Sequence, residues 1–68
     1  MDNAEKGARY ARLFRKAGVL LGKGSIARAI EVLEEGRELA ERWGDGAMAR
    51  RFTAEIVRAG EAAQSKPA

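Results

Sequence analysis

The chain has no cysteine, no histidine and one proline, and only four of its 68 residues are aromatic. Without thiols there is no disulfide framework and no thiol chemistry. Without imidazole, most zinc sites and the commonest acid–base catalyst are also excluded. β-Branched residues are sparse and no stretch alternates apolar and polar residues with a period of two, which argues against a sheet. Long hydrophobic runs are missing too: charges interrupt every apolar segment, so nothing here could span a bilayer. The N-terminal MDNAEKGARYAR lacks the apolar core of a signal peptide, and a cytoplasmic location is expected. The balance of 13 basic to 10 acidic residues gives a net charge of +3, too small to argue for nucleic acid unless the charges cluster. A chain of 68 residues makes one domain at most and buries only about 60% of its unfolded surface, so self-association or a partner is expected to supplement its stability.

What is present is helical periodicity. Residues 24–45, GSIARAIEVLEEGRELAERWGD, carry both boundaries of a helix, with Ser25 placed to cap the first turn and Gly44 to end the last in a left-handed conformation. Between them Ile26, Ala29, Ile30, Leu33, Gly36, Ala40 and Trp43 recur at three- and four-residue steps, broadened by Val32 and Leu39. A first helix starting near Glu5 presents Tyr10, Leu13, Phe14, Ala17, Leu20 and Leu21, then reverses at Gly22-Lys23-Gly24 to pair antiparallel with the second. Gly18 and Gly36 are expected contact points between helices. After the link at Asp45-Gly46, with Asp45 as cap, a third helix shows Met48, Ala49, Phe52, Ile56 and Ala59 and is expected to stop at Gly60. The pattern predicts an all-α, three-helix domain over residues 5–60, a flexible N-terminus at 1–4 and a disordered tail at 61–68. Trp43, at the end of the second stripe, is expected to anchor the hairpin against the third helix.

From Tyr10 to Trp43 the spacing resembles a tetratricopeptide repeat, a helix-turn-helix unit of 34 residues. Leu13, Ala17 and Leu20 stand at its large, small and large positions on the first helix, Gly24 at its turn, and Ala29, Leu33 and Gly36 at its small, large and small positions on the second. Lys16 and Glu41 depart from the pattern, where leucine and proline are usual. The third helix would then open a second repeat. The resemblance implies a concave groove lined by the first helices of successive repeats, which by position names Phe14, Gly18 and Leu21 with Met48 and Phe52. These are apolar, so the implied partner is an amphipathic helix or apolar peptide of another protein. One and a half repeats fall short of the roughly three that make a stable array, and a homodimer is the expected completion.

Other chemistries have less to build on. Glu31, Glu34, Glu35 and Glu38 cluster at helical steps, but no Glu-x-x-His pattern accompanies them and they read as a solvated face, with Glu34–Arg37 and Glu38–Arg42 as opposite charges one turn apart. Gly22-Lys23-Gly24-Ser25 lacks the spacing and preceding strand of a phosphate loop. Neither a cofactor, a metal nor catalysis is therefore expected. The alternative is a basic face for nucleic acid, made of Arg9, Arg12, Arg15, Lys16, Arg50 and Arg51, against which stands the placement of the aromatics in apolar stripes, away from the charges.

Overall fold

The computed structural model describes residues 2–65 of the chain. They form three helices: α1 (Asn3–Gly22), α2 (Ile26–Arg42) and α3 (Gly46–Ser65). The all-α architecture expected from the periodicity is what is found. Among the described residues there is no strand, and no helix is long and apolar enough to cross a membrane.

Helix α1 begins two residues earlier than its apolar pattern suggests, because Asp2 caps it: the Glu5 N–H donates to Asp2 Oδ1 at 2.8 Å. Residues 2–4 of the expected flexible N-terminus are thus cap and first turn, while Met1 lies outside the described residues. Helix α3 also overruns its expected end. Gly60 is an interior residue, and the Glu-Ala-Ala-Gln stretch after it consists of good helix formers that continue the backbone ladder without an apolar stripe. Of the expected disordered tail, residues 61–65 are helical and 66–68 lie outside the described residues.

The two turns share one construction. Gly24 (φ 79°) and Gly44 (φ 71°) are the only described residues with left-handed backbone, and each ends its helix with a pair of bonds. Gly24 N–H donates to Leu21 O at 3.0 Å and Ser25 N–H to Leu20 O at 2.9 Å; Gly44 N–H donates to Glu41 O at 3.1 Å and Asp45 N–H to Ala40 O at 2.8 Å. The residues after the two glycines then part ways. Asp45 caps α3, accepting from Met48 N–H at 3.2 Å, as expected. Ser25 makes no side-chain cap bond to α2; its ψ of 65° departs from the extended value that would aim the hydroxyl at the first-turn N–H groups.

Helix α2 packs against both α1 and α3, which barely approach each other along their backbones. The core is Tyr10, Ala17 and Leu20 from α1, Ala29, Val32, Leu33 and Ala40 from α2, and Phe52 and Ala59 from α3. Four of these nine are alanine, which lets helix backbones come close. Only Phe52 and Leu33 are large side chains shut off completely, and no polar or charged side chain is buried among the described residues. Gly36 is a contact point as expected, since a Cβ there would collide with the Phe52 ring. Gly18 is not: it is exposed, with nothing near the place its Cβ would occupy. Trp43 packs on Tyr10 of α1, ring centroids 5.5 Å apart, with the Lys6 ammonium 5.6 Å from its centroid. Its ring–ring contact is thus with α1, and Trp43, half-buried, packs against the edge of the common core.

Candidate functional site

With the α1 and α3 backbones held apart on α2, their side chains meet across a furrow. Its floor is aromatic. The Phe14 ring of α1 stacks on the Phe52 ring of α3, centroids 4.2 Å apart and planes 3° from parallel, and Tyr10 lies tilted against Phe52 at 5.8 Å. Phe52 is fully buried beneath, its ring seated on Gly36 of α2, so a glycine on one helix sets the depth at which the aromatic floor lies. Above it opens a cleft of about 520 Å³. Gly7, Tyr10, Ala11, Phe14 and Arg15 line its α1 side, and Met48 and Arg51 its α3 side.

The sequence-derived groove is only partly reproduced. Phe14 and Met48 line the cleft, but Phe52 belongs to the core under it. Gly18 is exposed outside it. Leu21, 36% exposed, lies in a separate depression of about 270 Å³ with Ile26 and, on α3, Glu55, Arg58, Ala59 and Ala62. Four of the five groove residues therefore divide between two hollows and the core, and Gly18 belongs to none of these; Leu21 shares the face of Phe14 but stands two turns, roughly 10 Å, farther along α1. The basic face divides as well. Arg15 and Arg51 belong to the cleft, while Arg9, Arg12, Lys16 and Arg50 are exposed and do not line it. Gly7 and Ala11 are lining residues that the apolar pattern does not pick out. They stand one turn apart, with Phe14 and Arg15 following at the next turn, but as small residues in a polar setting they carry no apolar signal.

Charge is distributed by element. Helix α1 carries Lys6, Arg9, Arg12, Arg15 and Lys16 against Glu5, whereas α2 carries Glu31, Glu34, Glu35, Glu38 and Glu41 against three arginines. Among the described residues the only ion pair is Arg58–Glu55 at 3.2 Å, so neither Glu34–Arg37 nor Glu38–Arg42 closes. The acidic face of α2 is solvated, and no three carboxylates converge among the described residues.

Next to the cleft, Asp45 joins α1 to the second turn. Its Oδ2 accepts from the Tyr10 hydroxyl at 3.3 Å while Oδ1 caps α3. Burial, then the negative charge of Asp45, then the hydrogen bond to it raise the Tyr10 pKa above the ordinary value of 10.0. At neutral pH the phenol is a fixed donor that holds the cleft wall in place.

Comparison with known proteins finds no family model, curated protein or solved structure that matches this chain.

Proposed function

We propose that this chain is a non-catalytic protein-interaction module, an adaptor, assembly or regulatory factor of the cytoplasm, whose α1/α3 cleft takes the apolar face of a helix or peptide from another protein. The observation that carries the reading is the cleft itself: an apolar hollow between two helices that the third holds apart, with the half-buried Phe14 ring at its floor. Grooves of this kind bind amphipathic helices through a few apolar anchors. All the backbone around it is helical, and with no sheet edge among the described residues to extend, recognition falls to side chains. The resemblance to a tetratricopeptide repeat supports the same reading, through Ala29, Leu33 and Gly36 as the residues on which neighbouring helices close.

A photo-crosslinking amino acid at Ala11, in the cleft, and at Ala27, exposed on α2, tests it. A discrete adduct with a second polypeptide from Ala11 and none from Ala27 is the expected result. Equal labelling from both positions, or none from Ala11, would remove the cleft as a binding surface.

A further inference from the structure

The two candidate surfaces that the sequence separates, an apolar groove and a basic face, meet in one place. Arg15 and Arg51 rise from opposite helices beside the Phe14 floor, and the Arg51 guanidinium lies over the Phe14 ring, 5.1 Å from its centroid. A guanidinium held over a ring can still donate through its N–H groups, and its planar edge matches a carboxylate in geometry as well as charge. Among the described residues nothing takes up this capacity. Glu55, the carboxylate one turn along α3 from Arg51, is paired with Arg58, and neither Arg15 nor Arg51 has an acidic partner within 4 Å there.

From this geometry we infer that the occupant of the cleft is an acidic amphipathic helix: its apolar residues seat on Met48 and on the part of Phe14 that Phe52 and Arg51 leave exposed, and carboxylates flanking them pair with Arg15 on one wall and Arg51 on the other. The inference rests on the cleft being a protein-binding site and adds the partner's chemistry. The excess of basic residues along α1 extends the same preference outward and would speed the encounter. A second copy's α2, though acidic, is a poor fit, since its outer face offers carboxylates but no apolar anchor for the floor. Nucleic acid fits less well than an acidic helix. The Phe14 ring is already engaged by Phe52 and Arg51, so a base would have to displace the arginine to stack.

The test is a selection against the intact chain from a displayed library of amphipathic helices about 15 residues long, long enough to hold helical structure. Apolar positions are drawn from Leu, Ile, Phe and Met, and the flanking positions from Glu, Gln and Lys. Enrichment of Glu at the flanks is expected, with selected peptides binding about tenfold more weakly to Arg51→Gln and to Arg15→Gln, since each removes a hydrogen bond between charged groups. Arg51→Lys should recover little, because an ammonium keeps the charge but loses the planar fork. Both arginines are exposed, so unchanged thermal melts are expected, and Arg15→Gln carries the test if Arg51→Gln melts early. Peptides that show no charge preference yet are lost on Ala11→Gln, which fills the cleft, would overturn the acidic partner and leave the cleft reading standing. Binding that survives Ala11→Gln, or no enrichment at all, would overturn both. Tight, steeply salt-dependent binding of generic single-stranded RNA, abolished by the arginine substitutions, would replace the protein partner with nucleic acid.

Discussion

Gly18 and Gly36 look alike in the sequence, each an interior glycine of an amphipathic helix, and the structure gives them opposite consequences. At Gly36 an added methyl collides with the Phe52 ring, which is buried and has nowhere to retreat. Gly36→Ala should therefore destabilise the fold by about 1–3 kcal/mol, the overpacking cost outweighing the gain in helix propensity. At Gly18 the site is open, and Gly18→Ala should raise stability by up to about 1 kcal/mol. Urea midpoints of the two variants check both signs, and equal shifts would show that Phe52 does not press on α2. Trp43 is an intermediate case. Its ring is half-buried against Tyr10, so Trp43→Ala should cost about 2 kcal/mol, less than the roughly 3–5 of a fully buried tryptophan. Native emission between the water-exposed and buried limits would accord with that placement.

At the scale of elements, Asp45 does three things at once: its N–H closes the end of α2, one carboxylate oxygen caps α3, and the other holds Tyr10 of α1. Asp45→Ala should cost about 1–2 kcal/mol through the lost cap alone. Asp45→Asn keeps a capping oxygen but removes the negative charge that helps hold the Tyr10 proton. The pH dependence has a definite sign. Because the folded state raises the Tyr10 pKa, the unfolded chain ionises first, so the stability tied to this phenol is complete below pH 10.0 and is lost as pH rises through the folded value. The stability of wild type should fall on the alkaline side and that of Asp45→Asn less steeply, as denaturant melts across this range would record. Legibility in the sequence differs among these same elements. Gly44 and Asp45 are legible because the left-handed residue and the cap are local demands of the backbone. The end of α3 is not, since Gly60 looks like a stop and only its continuation through strong helix formers makes it an interior residue. The cleft is half legible. Periodicity identifies Phe14 and Met48 as apolar, but that Arg15 and Arg51 face each other depends on how α2 spaces its neighbours, which no local pattern records.

For the molecule as a whole, the question is whether this core suffices. Nine buried apolar side chains among the described residues, four of them alanine, with two large ones fully enclosed, make a thin core even for a chain of this size. Apolar surface also remains outside it. Val19 and Val57 are more than half exposed, and Ala49 and Ile56 are only half covered along an edge of α3 against which, among the described residues, no fourth helix packs. A second copy could close that edge on both molecules at once, because a two-fold axis brings the same surface of each chain into contact. Light scattering at micromolar concentration should accordingly give a dimer mass, with a melting temperature that climbs as protein is added, since mass action favours the assembled state. Ile56→Glu should shift that mass towards the monomer while leaving Phe14, Arg15, Met48 and Arg51 in place on their own side of α1 and α3. Self-association through the α3 edge and partner binding through the cleft would then be separable, and a variant that lost both together would indicate that the dimer contact and the cleft are one surface. A monomer whose melting temperature is high and independent of concentration would show that three helices closed on four alanines and a glycine suffice without a partner, and the argument from the thin core would fail.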